Sequence, residues 1–92
     1  MKILAVCGFG VGSSLILRMT IQKCLTELGL EAEVNNTDIT NAKSFKADAI
    51  FTSPAFVSDL EGVVKTPLYP VLKYSDKEEV KAQLLILFQQ KN

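Results

Sequence analysis

The sequence predicts an α/β fold, a four-stranded parallel sheet flanked by helices on both faces. Three observations carry that expectation. Short apolar runs alternate with helix-period segments along the 92 residues, the first run passes directly into a glycine-rich loop, and the third run is apolar at successive positions, as a strand covered on both faces must be. Such alternation implies right-handed crossovers and puts ligand sites at the carboxyl ends of the strands.

Ile3, Leu4, Ala5 and Val6 make the first strand, closed by Cys7. Gly8-Phe9-Gly10-Val11-Gly12-Ser13-Ser14 follows as a loop and helix start. Leu17, Ile21, Cys24, Leu25 and Leu28 recur at i, i+4, i+7, i+8 and i+11, one face of a helix over 13–28, and Gly29 supplies its stop. Residues 30–35 alternate weakly and read as a short edge strand; the polar stretch 36–46 has room for a ragged helix. Residues 48–52 read as a third, doubly buried strand. Ser53-Pro54 then places an N-cap before proline at the first helical position, and Gly62 ends that short helix. Prolines at 67 and 70 confine a fourth strand, near 69–72, to an edge. Ser75 and Glu78 have capping-box spacing, and Val80, Leu84, Leu87 and Phe88 give the last helix its apolar stripe.

Length and composition narrow the function. The chain reads as one domain, 1–92, large enough for a single core. Its 48% hydrophobic and 22% charged content, with ten basic and ten acidic residues, is that of a globular protein. Without net charge or a basic cluster it lacks the attraction on which nucleic-acid binding relies. No apolar run approaches about 18 residues, so no direct membrane insertion is expected and the reading is cytoplasmic. Cys24 lies well along the first helix from Cys7, which argues against a disulfide and against CxxC redox chemistry. Histidine is absent, which excludes His-based catalysis and an ordinary zinc site; neither metal nor cofactor is expected.

Cys7 is therefore the one strong nucleophile, and its surroundings are those of an anion site. Alternate glycines let the backbone turn with its N–H groups inward, and the next helix points its positive end at the same place. Those dipoles favour the thiolate, the nucleophilic form. Amides of residues 8–14 then surround the equatorial oxygens of a phosphoryl group while sulfur attacks in line. Ser13 and Ser14 are hydroxyl donors or helix caps. Phe9 and Val11, between the glycines, turn outward as a docking surface for another protein, or Phe9 folds back on its own domain. Gly8, Gly10 and Gly12 do not make the dinucleotide fingerprint, and no lysine stands where a Walker loop needs one.

Cys-Gly-Phe-Gly-Val-Gly-Ser-Ser after an N-terminal strand resembles the IIB component of the bacterial phosphoenolpyruvate-dependent sugar phosphotransferase system (PTS), most closely the ascorbate and galactitol type. The resemblance covers the whole length. It implies a fold related to low-molecular-weight tyrosine phosphatases and a protein-phosphohistidine–sugar phosphotransferase activity. Cys7 would take a phosphoryl group from a phosphohistidine of the IIA component and pass it to a sugar held by membrane IIC, with Gly8 through Ser14 as phosphate loop. The phosphatase relatives are the rival reading. They use Cys-x5-Arg, but six residues after Cys7 stands Ser13, and the first arginine is Arg18. A non-catalytic regulatory binding module is the third. The carrier reading requires a thiol that a phosphoryl donor can reach.

Overall fold

The computed structural model describes residues 1–8 and 12–91. In chain order it contains β1 (Lys2–Cys7), α1 (Gly12–Leu28), β2 (Glu33–Asp38), a 3-10 turn (Ala42–Ser44), β3 (Ala49–Thr52), α2 (Pro54–Glu61), β4 (Leu68–Pro70) and α3 (Lys77–Lys91). The strands form one sheet in the order β2-β1-β3-β4, every pair parallel. Helices cover both faces, as the alternation of elements predicts.

Side chains of successive strand residues point to opposite faces, and the pleat divides the core accordingly. Ile3 and Ala5 of β1, Val34 of β2, Ala49 and Phe51 of β3 and Tyr69 of β4 pack with Leu17, Ile21, Cys24 and Leu25 of α1 and Val80, Leu84 and Leu87 of α3. Leu4, Val6 and Ile50 pack on the other face with Leu60 of α2 and Ala42. Each fully buried Leu or Ile contributes about 1.5–3 kcal/mol of apolar transfer energy, so the stripe on α1 outweighs any local propensity.

Gly29 ends α1 with φ of +71°. The Leu30 amide bonds the Leu25 carbonyl at 2.9 Å and the Gly29 amide bonds Thr26 at 3.2 Å, the paired bonds of a left-handed helix terminus. This termination shifts β2. The Leu30 N–H is committed to the helix, and Leu30 and Ala32 pack on the core as a turn. Pairing begins only where the Glu33 amide reaches the Met1 carbonyl at 2.9 Å. The expected strand at 30–35 is thus found at 33–38, still at an edge. The ragged helix expected over 36–46 reduces to the 3-10 turn, because residues 36–38 belong to the sheet.

Ser53 caps α2 as expected: its side chain accepts from the Ala55 amide at 3.3 Å, with Pro54 first in the helix. The last helix starts later than its sequence signal. Asp76, not Ser75, is the cap, its Oδ1 accepting from the Glu78 and Glu79 amides at 3.0 and 3.3 Å. β4 is shorter than expected for a related reason. The Glu79 carboxylate accepts from the Leu72 amide at 2.6 Å and the Lys73 amide at 2.9 Å, taking those donors away from the ladder. Gln83 holds the Pro70 carbonyl at 2.9 Å from the same helix.

Candidate functional site

Cys7 ends β1, which lies between β2 and β3, opposite Asp38 and one residue past the Val6–Thr52 pair. By the pleat its side chain shares the α1/α3 face with Ile3 and Ala5. Strand order thus delivers the thiol to the carboxyl edge of the sheet, and α1 begins at Gly12. Helix α1 carries no acidic residue in its first turn. Its positive end is left uncompensated, and an anion there gains from the helix dipole.

The thiol is less open than the sequence reading requires. Cys7 is 3% exposed. β2 flanks it through Asp38, Gly8 is buried as well, and the ring of Phe56 from α2 lies against Gly8. A side chain at position 8 has no room, since its Cβ would stand 2.7 Å from Phe56 Cε1. Phe56 therefore reserves position 8 for glycine by close approach. Phe9, Gly10 and Val11, the middle of the expected phosphate loop and the whole of the expected docking pair, lie outside the described residues.

The two serines separate clearly. Ser13 is exposed, whereas Ser14 is fully buried. Ser14 Oγ accepts from Asn36 Nδ2 at 3.4 Å, and Arg18 Nη1 donates to Asn36 Oδ1 at 3.1 Å. Arg18 sits one helical turn after Ser14 and is engaged with β2, so the arginine of a phosphatase loop has no counterpart in it.

On the other side of Cys7, Thr52 is buried and its Oγ1 donates to the Val6 carbonyl at 2.9 Å. The Val71 amide bonds the Thr52 carbonyl at 2.7 Å. Tyr74, in the turn before α3, lies beside Thr52 and Ser53, whose polar groups partly offset the effect of burial on its phenol. Burial foremost raises its phenol above the ordinary value, and charge on Cys7 pushes the same way. A neutral hydroxyl therefore stands within electrostatic range of the thiol. Sequence reading passed over Tyr74; the rule that sites gather at the carboxyl ends of parallel strands points to the loop that holds it, but only packing selects the residue. Among the described residues no group of His, Cys, Asp and Glu is placed to hold a metal ion, and no helix is long and apolar enough to cross a membrane.

Comparison with known proteins agrees with this geometry. The family model described as "PTS system, Lactose/Cellobiose specific IIB subunit" matches residues 2–85. The chain is 30% identical over 86 residues to the "Ascorbate-specific PTS system EIIB component" of Mycoplasma pneumoniae, an alignment covering 91% of this chain and 90% of that one. Its fold superposes on the lactose-specific IIB component domain from Streptococcus pneumoniae with a TM-score of 0.68 at 14% identity, over 100% of this chain and 98% of the other. A low molecular weight phosphotyrosine phosphatase from Vibrio cholerae O395 gives 0.54 at 10% identity, over 95% and 89%. At those identities the two solved structures show the fold alone.

Proposed function

The chain belongs to the IIB subunit family of the phosphotransferase system, whose members carry phosphoryl groups in sugar uptake, and from that membership we propose that Cys7 is the residue that carries the group. The observation behind this reading is the position of Cys7 at the carboxyl end of a central parallel strand, before a helix N-terminus with no acidic residue in its first turn.

In the proposed cycle the Cys7 thiolate attacks the phosphorus of a phosphohistidine on the IIA protein. The S–P bond forms as the P–N bond breaks, and its electron pair stays on the imidazole. A sugar hydroxyl oxygen, held by membrane IIC, then attacks phosphorus; the S–P bond breaks, sulfur leaves as thiolate and the hydroxyl gives up its proton. Main-chain donors of residues 8–14 hold the charge of the group throughout. Because Cys7 is 3% exposed, docking of the donor must move its cover aside. Phe9 and Val11 are the proposed contacts, and Leu15, Ile16 and Met19 are exposed apolar side chains on α1. The ascorbate-type relative supports an ascorbate-type system, with the chain working on the cytoplasmic side of its transporter.

The test is intact mass after incubation with phosphoenolpyruvate, the general phosphotransferase proteins and an ascorbate-type IIA. Wild type gains one phosphoryl group, and Cys7→Ser, still folded, gains none. Retention of the group in Cys7→Ser would refute the assignment. Steady phosphate release from an aryl phosphate would instead favour a hydrolase, a reading that the engagement of Arg18 with Asn36 argues against.

A further inference from the structure

Both peptide planes that flank Cys7 are held by hydrogen bonds from neighbouring segments. After it, the Cys7 carbonyl accepts from the Ile39 amide, just past β2, at 2.9 Å. Before it, the Val6 carbonyl accepts from Thr52 Oγ1 of β3 at 2.9 Å. A peptide unit is rigid and planar, so the oxygen that Thr52 grips lies in one plate with the nitrogen and Cα of Cys7. Holding a plate on each side fixes the two backbone torsions of Cys7, and the direction in which its Cβ leaves the strand follows from them. The Ile39 bond is main chain and survives any side chain but proline. The Thr52 bond depends on a hydroxyl.

That hydroxyl stands in an otherwise apolar strand. β3 reads Ala-Ile-Phe-Thr and is buried at all 4 positions, where valine would give the shape of threonine without the polar atom. A buried hydroxyl is costly unless bonded, and this one is committed to the Val6 carbonyl. Thr52 is also the last residue of β3: Ser53 caps α2, and Pro54 has no N–H to offer β1. The Thr52 carbonyl accepts from the Val71 amide at 2.7 Å, and Gln83 of α3 holds the Pro70 carbonyl at 2.9 Å. The end of β1 is thereby tied through Thr52 to the end of β4 and to α3. We infer that Thr52 is a positioning residue for phosphoryl transfer, its hydroxyl holding the Val6–Cys7 peptide so that the Cys7 sulfur keeps one line of attack on phosphorus. The inference rests on the phosphocysteine reading above. In-line displacement tolerates little misalignment, and a shifted nucleophile loses rate without weakening the docking of its donor.

Single-turnover transfer from phosphorylated ascorbate-type IIA to the full chain tests this, followed by intact mass over a range of donor concentrations at a temperature where every variant is folded. Thr52→Val removes the hydroxyl and keeps the shape. Its saturating rate is expected to fall about fivefold, the scale of one hydrogen bond, with the half-saturating donor concentration unchanged. Thr52→Ser keeps the hydroxyl and loses a methyl group, so it should be less stable yet transfer at the wild-type rate. A wild-type rate in Thr52→Val overturns the inference. So do rate losses that follow the thermal midpoint in both variants, because Thr52 would then act by packing alone. A rise in the half-saturating concentration at an unchanged saturating rate equally overturns it, since the effect would lie in docking. Should Thr52→Val not fold, Thr52→Ser decides: the wild-type rate supports the inference and a fivefold loss defeats it. If wild type takes no phosphoryl group on Cys7 in the same assay, the functional reading fails and this inference with it; wild-type acceptance with an unaffected Thr52→Val defeats the inference alone.

Discussion

The ring of Phe56 fills the space where a side chain on Gly8 would stand, with Cε1 2.7 Å and Cε2 3.3 Å from the position of a Cβ. This contact joins the first turn of α2 to the residue after the thiol. Gly8→Ala should therefore displace the ring and destabilise the protein by about 1–3 kcal/mol, as overpacking generally does. Pairing it with Phe56→Leu should recover most of the loss in urea denaturation; strictly additive losses would mean the two residues are not coupled.

Burial also governs the reactivity of the thiols. Cys7 is 3% exposed and Cys24 fully buried, with Cys24 Sγ 3.5 Å from the Lys77 carbonyl and its thiol raised by burial. Iodoacetamide should label both slowly in the folded protein. Unfolding in urea should bring both to the rate of an open cysteine, read by peptide mass; fast labelling of either in the folded protein would contradict its burial.

At the start of α3, Asp76 accepts from two amides. Asp76→Ala should cost about 1 kcal/mol and lower the thermal midpoint by roughly 4–8 °C in a domain of this size. Ser75→Ala should leave it unchanged. The reverse order would restore the cap to the position that the capping-box spacing indicates.

Glu27 clamps α1 to α3 through Lys77 at 2.8 Å and Lys81 at 2.6 Å. Hydrogen bonds from Lys77, then Lys81, lower its carboxyl from 4.5 to about 2. A carboxyl depressed in the folded state favours folding above its unfolded pKa, and that contribution is lost as pH falls through the folded one. Between about pH 4.5 and 2 the wild-type midpoint should fall more steeply than that of Glu27→Gln. The clamp is solvent-exposed, so added salt should shrink the difference. Parallel curves at low salt would remove the clamp from the account.

Both tyrosines of the chain are raised by burial, Tyr69 and Tyr74 alike. Phenolate absorbance of the folded protein should show no step at the ordinary tyrosine value of 10.0. The unfolded chain ionises first, so stability should decline as pH rises above that value. A normal titration of either ring in the native state would contradict the burial described.

Local chemistry was legible in the chain. The 3.6-residue recurrence from Leu17 to Leu28, the left-handed Gly29, Ser53 before Pro54 and the doubly apolar third strand each encode their element within a few neighbouring residues, and together they imply the parallel sheet with Cys7 at its carboxyl edge. What failed to show was set by partners distant in sequence. Residues 30–32 alternate well enough for a strand, but the Leu30 amide is spent on the helix end. Leu72 has strand character, but Glu79 takes its amide from another element.

The amino-acid order thus determined which segments become helix or strand and where Cys7 enters the fold, because those outcomes depend on side-chain period and on glycine and proline geometry nearby. Only tertiary packing decided that Phe56 closes over Gly8, that Asn36 faces Ser14 with its amide turned by Arg18, and that Tyr74 meets Thr52 and Ser53. Each of these contacts joins residues on different elements, and their meeting depends on strand order and register, which no single segment contains.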